Sequence, residues 1–362
     1  MPGSPATCDV FLSRDFVLRT ARRRARRERL RVGLVLAGTI VVLTGLLSIP
    51  LYLIWALLPW APLPPDAWAR LGVLAAGTVR AAACAMIVAL PLGLATAMFT
   101  AHYAAPRLRA VIKPALEILE AIPTVVFGLI AAATLAPWLK LNVATVLALA
   151  AAVPAALLAA GLASGVRTRR EGWLPLWLLP LVVVLVSIGV AYAARVESTS
   201  IVPAMPWNAM LVGLALGVAA MPTVFSVAED ALFLVPREHA QAAFALGATR
   251  WQALTRVLLP AAGSGLVAAG LLGVLRCLGE TMIVLMASGN TPIGGFDPLV
   301  GLRSLSAEIA LGLPEAAPSS VAWRGLLLAA LALLLSTVLF SLLAEAVRER
   351  LRRRLRHDGG AS

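Results

Sequence analysis

Apolar runs long enough to cross a bilayer constrain this chain more than any other feature. A helix needs about 20 apolar residues to span the hydrocarbon layer. Eight such runs lie near residues 33–59, 71–99, 122–139, 142–166, 173–194, 209–228, 261–287 and 322–344. Hydrophobic residues make up 60% of the chain, whereas soluble proteins are about 45–50% apolar. The runs therefore predict an all-α, polytopic membrane helix bundle with about eight transmembrane helices, and they exclude a soluble globular domain.

The distribution of basic residues predicts the orientation of this bundle. With the N-terminus inside, 24 of the 31 Lys and Arg residues fall in predicted cytoplasmic segments and four in outer segments, as the positive-inside rule requires. The apolar run after residues 1–32 is too long for the core of a cleaved signal peptide, so 33–70 is interpreted as a first anchor. We expect a multi-pass protein of the cytoplasmic (inner) membrane with both termini cytoplasmic.

The basic ends of the chain, 1–32 and 346–362, lie next to predicted spans. Basic residues in that position orient the helices and contact the anionic headgroups of the lipid bilayer. The net charge of +13 is therefore attributed to the membrane, and no nucleic-acid partner is expected.

The sequence lacks the patterns of an enzyme or a metal protein. The cysteines Cys8, Cys84 and Cys277 have no metal-ligand spacing, and the three histidines are equally scattered. A P-loop requires G-x-x-x-x-G-K-[ST], and neither Lys113 nor Lys140 follows such a loop. We expect no catalytic residue, no metal and no cofactor, so any ATP hydrolysis must come from a separate subunit.

Residues 228–260 are the one long polar-mixed segment between apolar runs. Pro236 and Glu238 suit the first turn of a helix, and Gly247 provides a stop signal. Thr249 and Gln252 have the spacing of a capping box for a second helix. The pattern predicts a helix, a tight glycine turn and a second helix on the cytoplasmic side, either as an ordinary hairpin or as a docking element for another protein.

This hairpin resembles the EAA loop of ABC-importer permeases, which forms the coupling helix. The resemblance rests on Glu238, Gly247 and Pro260, and it assigns the contact with the ATPase to these residues and Ala242. The family's second position is Ala, whereas this chain has His239.

Charged residues within the predicted spans are candidates for a transport pathway, because a charge in the hydrocarbon layer is costly unless it is paired or faces water. Arg276 and Glu280 are four residues apart, which places them on one face of a helix. They are predicted to pair, either as a structural ion pair or as an oxyanion site in which the guanidinium binds the ligand bidentately. We take Arg276, Glu280 and the adjacent Thr281 as candidates for the substrate path.

Other polar residues near the spans are weaker candidates. Arg80 is expected to extend towards the membrane surface or to line the path, with the first alternative favoured. Glu120 is expected at the inner boundary, and Thr124 and Thr223 could each offer a hydroxyl beside a proline kink. The stretch Ala110–Ala121 could form an interfacial helix.

The segment that begins Arg276-Cys-Leu-Gly-Glu-Thr-Met and continues to Gly289-Asn290 resembles the R-x-x-GETM…GN segment of phosphate ABC-transporter permeases, specifically the PstC type. Residues 121–129 and 221–232 are similar to two further segments of that family. The resemblance covers about residues 71–140 and 205–345. It implies an ABC type I importer permease core over 71–345.

The same resemblance implies a function and a set of partners. The chain would be the permease subunit of an ATP-driven importer of inorganic phosphate. Its partners would be a PstA-type permease subunit, ABC ATPase subunits and an extracytoplasmic phosphate-binding protein.

The chain departs from the family at 141–208, where the sequence predicts an inserted helix pair. Alternatives to the phosphate hypothesis also stay open. A permease of the same architecture could carry sulfate or molybdate. A secondary transporter would need no ATPase, and a scaffold would transport nothing.

Overall fold

The computed structural model describes residues 14–58, 63–140, 206–295, 297–318 and 320–358. Within these ranges the chain is helical, without β-strands, which confirms the predicted all-α class. The helices are α1 Arg14–Leu57, α2 Ala67–His102, α3 Pro106–Ala121, α4 Thr124–Lys140, α5 Ala209–Phe233, α6 Arg237–Ala245, α7 Arg250–Ala261, α8 Gly263–Gly279, α9 Met282–Ala287, α10 Leu305–Gly312 and α11 Val321–Asp358. Helices α4 and α7 each contain one π-helical turn, at Ala131–Leu135 and Leu254–Leu258.

The described part of the chain contains four candidate membrane spans, or up to six if each bent pair of helices counts as one span. Four are single helices long and apolar enough to cross a bilayer: part of α1, α2, α5 and part of α11. Two are bent pairs, α3 with α4 at 87° and α7 with α8 at 73°. The four single helices match the predicted spans near 33–59, 71–99, 209–228 and 322–344. The predicted spans near 122–139 and 261–287 correspond to α4 and α8, but not to their bent partners α3 and α7. The other two, near 142–166 and 173–194 in the predicted insertion 141–208, lie outside the described residues.

The chain divides into two units, residues 1–60 and 61–362. In the first unit, the side chains of α1 from Arg31 to Ile49 are exposed. This stretch is almost entirely apolar. An exposed helical stretch that is apolar on all faces is suited to contact with lipid.

In the second unit, α2 and α5 pack closely through small residues. A Cβ added at Gly213 would lie 2.6 Å from Cys84 Cβ, and one added at Gly217 would lie 2.7 Å from Val88 Cβ. Because both pairs have the same offset along the two helices, α2 and α5 run parallel. The predicted alternation of the spans also has these two helices running in one direction. Small residues are typical of helix contacts in membranes, where they let backbones approach.

Helix α8 packs against α5 in the opposite direction. A Cβ at Gly265 would overlap Ala231 Cβ, and one at Gly273 would lie 2.6 Å from Val224 Cγ2. Since α2 and α8 both contact α5, most of α5 is buried.

Helix α3 is docked along the last part of α5, also antiparallel. Three contacts set this register: Arg109 Cζ lies 4.4 Å from the ring centroid of Phe233, Lys113 Nζ lies 3.5 Å from Glu229 Oε2, and Thr223 Oγ1 donates to Glu120 Oε1 at 3.0 Å. The stretch Ala110–Ala121, for which the sequence allows an interfacial helix, is thus held against a transmembrane helix by polar side chains of α3.

A loop between α9 and α10 covers the N-terminal ends of α2 and α5, and Arg80 holds it. The side chain of Arg80 is buried, at 2% exposure. It donates from Nη1 to Gly295 O at 2.9 Å and from Nη2 to Gly301 O at 2.8 Å, with longer bonds to Ile293 O and Asp297 O. The expectation that Arg80 extends towards the membrane surface is wrong, because the residue is buried and loop carbonyls bind its Nη1 and Nη2, while its Nε has no hydrogen bond to the described residues.

Further hydrogen bonds join this loop and the following helix α10 to other helix ends. Met210 N, in the first turn of α5, donates to Pro298 O at 2.8 Å. The hydroxyl of Ser306, in α10, donates to Glu280 O at 2.9 Å. The loop and α10 together therefore connect the start of α5 to the break between α8 and α9.

Candidate functional site

Arg276 joins three helices in the middle of the second unit. It lies in the last turn of α8, and its side chain is 29% exposed. Its Nη1 donates to Glu120 Oε1 on α3 at 2.9 Å and to Thr223 Oγ1 on α5 at 2.9 Å. Because Thr223 Oγ1 also donates to Glu120 Oε1, the three side chains form a closed triangle, which we call the Arg276 triad.

Each member of the triad stands beside an irregularity of its helix. Glu120 is the second-last residue of α3, just before the bend into α4. Thr223 follows Pro222 inside α5, ten residues before that helix ends at Phe233. Ten residues correspond to about 15 Å of helix. Glu120 thus lies well along α5, and the expectation that it sits at the inner boundary is not supported.

The predicted pair between Arg276 and Glu280 is wrong. Helix α8 ends at Gly279, and Glu280 has an extended backbone, with φ −72° and ψ 129°. Its Oε1 instead accepts hydrogen bonds from Met282 N at 3.1 Å and from Ile283 N at 3.5 Å, at the start of α9. The i, i+4 rule applies only while the helix continues, and here it stops before the second residue.

Thr281 is the residue that precedes α9 and lies in the same break. No hydrogen bond joins it or Glu280 to the Arg276 side chain among the described residues. Of the three residues predicted for the path, the structure therefore places only Arg276 in the triad.

The sequence contains one unspecific signal for Thr223 and no local signal for the partnership of Glu120 with Arg276. The segments Ala-Ile-Pro-Thr-Val and Ala-Met-Pro-Thr-Val look alike, yet Thr124 begins a new helix after a bend while Thr223 continues α5. Glu120 lies 156 residues from Arg276 in the sequence. A contact over that separation depends on how the helices pack, which a pattern within one helix does not contain.

The chemistry of the triad is that of a partly solvated cation with one counter-charge. The hydroxyl proton of Thr223 points at Glu120, so Thr223 offers Arg276 only its oxygen. Arg276 uses Nη1 alone in its hydrogen bonds to the described residues. A guanidinium with a free edge can bind two oxygens of one oxyanion in parallel. No group of three or more His, Cys, Asp or Glu side chains suited to a metal occurs in the ranges that the structure describes.

The predicted hairpin is confirmed in its local structure. Helix α6 carries Glu238 in its first turn and ends before Gly247, which has φ +83°. Thr249 and Gln252 form the predicted capping box, with Gln252 N donating to Thr249 Oγ1 at 3.2 Å and Thr249 N donating to Gln252 Oε1 at 2.9 Å. Pro260 lies in the last turn of α7.

The hairpin also exposes large apolar side chains. Leu246 is 90% exposed and Leu234 is 83% exposed, and Phe244 and Trp251 are more than one-third exposed as well. They stand among polar, exposed neighbours such as Arg237, Glu238, Gln241 and Arg250. Exposed apolar residues with a polar surround are typical of protein interaction sites.

Comparison with known proteins gives a consistent family assignment. Residues 158–357 match the family described as "Binding-protein-dependent transport system inner membrane component". The chain is 27% identical over 290 residues to the "Probable ABC transporter permease protein YqgH" of Bacillus subtilis, which covers 79% of this chain and 75% of that protein.

Two further relatives are named as phosphate transport system permease protein PstC. The protein of Mycobacterium leprae is 28% identical over 66% of this chain and 65% of its own length. The protein of Haemophilus influenzae is 26% identical over 69% of this chain and 67% of its own length. Among solved structures, a chain of the MetNI methionine ABC transporter in an inward-facing conformation matches 78% of this chain with 16% identity and a TM-score of 0.43.

Proposed function

The chain belongs to the family of binding-protein-dependent transport system inner membrane components, and from this premise we propose that it is the permease subunit of an ATP-driven importer of inorganic phosphate. The names of the relatives from M. leprae and H. influenzae support phosphate as the substrate. Uptake would pass through the membrane bundle, while ATP hydrolysis is assigned to a separate subunit.

The observation that carries the proposal is the partly exposed guanidinium of Arg276. Arg276 is the only charged residue of helix α8. Glu120 contacts it through a single pair of atoms, and 29% of the Arg276 side chain stays exposed. A charged side chain in a transmembrane helix is a functional candidate by default, because the bilayer disfavours it. Arg276 binds phosphate oxygens transiently during translocation. Glu280 and Thr281 form the break that follows it and stay candidates for the path.

The hairpin and the family support an ATPase subunit and a binding protein as partners, and the sequence resemblance adds a PstA-type permease. The exposed side chains of α6 and α7 are suited to the groove of an ABC ATPase subunit, with Glu238, Ala242, Gly247 and Pro260 at the contact. An extracytoplasmic phosphate-binding protein delivers the substrate. A PstA-type permease completes the translocation pathway.

The same proposal sets the orientation. The hairpin and both termini are cytoplasmic, as the excess of basic residues on that side indicates, and the loop held by Arg80 is external. ATP binding by the partner displaces the hairpin and moves the bundle between inward-facing and outward-facing states.

The test is uptake of labelled phosphate in cells that lack this chain. Wild-type protein should restore uptake, and Arg276→Gln should reduce it at least about tenfold, because a lost charge-assisted contact is worth about 1.4 kcal/mol or more. Arg348→Gln is the matched control. It removes another arginine that pairs with a glutamate, Glu345, but on an exposed part of α11.

Membrane levels of all three proteins are compared in parallel. If wild-type protein restores nothing while sulfate or molybdate uptake changes, the substrate assignment is wrong. If transport survives ATP depletion under an imposed ion gradient, the ATP-driven mechanism is wrong.

A further inference from the structure

The Arg276 triad contains an acceptor as well as a donor, and this combination has a consequence for selectivity. An ionised carboxylate only accepts hydrogen bonds. Glu120 uses Oε1 for both Arg276 and Thr223, and its Oε2 has no hydrogen bond to the described residues. With 41% of the side chain exposed, this second oxygen is open to a ligand that approaches the guanidinium.

The contact between Glu120 and Arg276 is of a kind that leaves room for a ligand. A carboxylate that serves only to neutralise an arginine commonly binds it with two parallel hydrogen bonds. Here a single nitrogen meets a single oxygen, at 2.9 Å. An oxyanion that binds Nη2 of Arg276 on the side facing Nη1 would therefore lie beside Glu120 without displacing it, whereas the opposite edge, Nε–Nη2, points away from the carboxylate.

Phosphate, sulfate and molybdate differ in whether they can donate a hydrogen bond to such a carboxylate. Inorganic phosphate keeps at least one hydroxyl proton at physiological pH and can donate it to Glu120. Sulfate and molybdate carry none there, so their oxygens would face the carboxylate with like charge and no hydrogen bond. Like charges in contact and polar groups left unpaired are the usual means by which a site rejects a close analogue.

We propose that Glu120 is a specificity-determining residue of the pathway, which admits oxyanions that carry a hydroxyl proton and rejects fully deprotonated ones. Thr223 is a positioning residue, since its hydroxyl proton fixes Oε1 and leaves Oε2 for the ligand. This inference rests on the proposed role of Arg276 as an oxyanion site. It adds a second selection step inside the membrane to that of the binding protein.

The experiment measures oxyanion binding by the assembled membrane complex, purified without its binding protein. Thermal stability is followed against inorganic phosphate or sulfate at constant ionic strength, and apparent Kd values are obtained from the shift in Tm. Wild-type complex should bind phosphate at least about tenfold more tightly than sulfate. Glu120→Gln keeps the shape of the side chain but loses its charge, so the Kd values for phosphate and sulfate should fall within about threefold of each other.

Glu117→Gln is the matched control. It removes a carboxylate one turn earlier on the same helix, exposed and without a hydrogen bond to Arg276, and it should discriminate as wild type does. Thr223→Val tests the orientation of Glu120 and changes no charge. It should weaken the binding of phosphate but not that of sulfate, so the ratio of the two Kd values should fall. It also replaces Glu120→Gln if that variant does not assemble.

The outcomes separate this inference from the proposed function. If Glu120→Gln and Thr223→Val both reject sulfate as wild type does, while Arg276→Gln no longer binds phosphate, the role of Glu120 is overturned and the oxyanion site survives. If phosphate does not stabilise the wild-type complex, or stabilises Arg276→Gln equally, both are overturned.

Discussion

Single side chains in this protein organise segments that are far apart in the sequence. Arg80 on α2 reaches carbonyls between Ile293 and Gly301, more than 200 residues away. A fork of donors suits this role, because one guanidinium can satisfy several carbonyls at fixed angles. A lysine would keep the positive charge but would lack the planar set of donors of the guanidinium.

Arg80→Lys is therefore expected to loosen the loop. Each lost hydrogen bond to a charged group costs about 1.5–3 kcal/mol, so hydrogen exchange at the amide of Leu302, which donates to Ser288 O, should accelerate at least about tenfold. Arg70→Lys is the control, since Arg70 forms an exposed pair with Asp66. Equal exchange in Arg80→Lys and wild type would remove the role assigned to Arg80.

Residue patterns predicted local features well and distant ones poorly. The capping box of Thr249 and Gln252 was read correctly because both residues lie in one turn. The pairing of Arg276 with Glu280 was wrong because it assumed a helix that ends at Gly279. The partnership with Glu120 depends on the packing of α3 against α5, so no local pattern could have given it.

The elements of the second unit are assembled through close backbone approaches rather than large side chains. Glycines on α5 and α8 face alanine, valine and cysteine on their neighbours. The sequence predicted the spans from apolar length but not this contact surface, because an alanine-rich helix has no distinct apolar face. The boundaries of α2 and α5 were predicted within a few residues, since each is a continuous apolar run.

A methyl group at Gly217 tests this surface. Its Cβ would lie 2.7 Å from Val88 Cβ and 2.8 Å from Ala85 O, so α2 and α5 would have to separate. We expect Gly217→Ala to cost about 1–3 kcal/mol and to lower the Tm of the purified complex by about 5 °C.

The control is Gly72→Ala on α2, where an added Cβ meets nothing within 4 Å. It should leave Tm unchanged or raise it slightly, because alanine favours helix. A Gly217→Ala complex as stable as the control would mean that the two helices can separate at no cost.

At the scale of the whole molecule, the hairpin and the triad lie at different depths of one bundle. Helix α5 leads into the hairpin, and α8 leaves it after the 73° bend. Both helices also contribute to the Arg276 triad. A movement of the hairpin can therefore change the triad through two continuous helices.

The turn between α6 and α7 gives a test of this connection in the assembled importer. Gly247 has φ +83° and open space around it, and Gly263 also has open space but an ordinary backbone. Alanine at Gly247 costs about 1–2 kcal/mol, because a left-handed conformation disfavours a Cβ. We expect Gly247→Ala to reduce the ATPase stimulation by phosphate-loaded binding protein several-fold.

Gly263→Ala adds the same methyl group without the strain and should retain full stimulation. Equal stimulation in the two variants would contradict the role of the hairpin in coupling.

The antiparallel register of α3 on α5 has a mechanical consequence. A slip of one turn, about 5.4 Å, would break the contacts at Phe233, Glu229 and Thr223 together, so sliding is disfavoured and the two helices act as one lever. We therefore expect flexing at the 87° corner between α3 and α4, since a bend between two helices can act as a hinge. A displacement at the hairpin end of α5 is then expected to carry α3 and Glu120 with it, whereas the helix beyond the corner can stay in place.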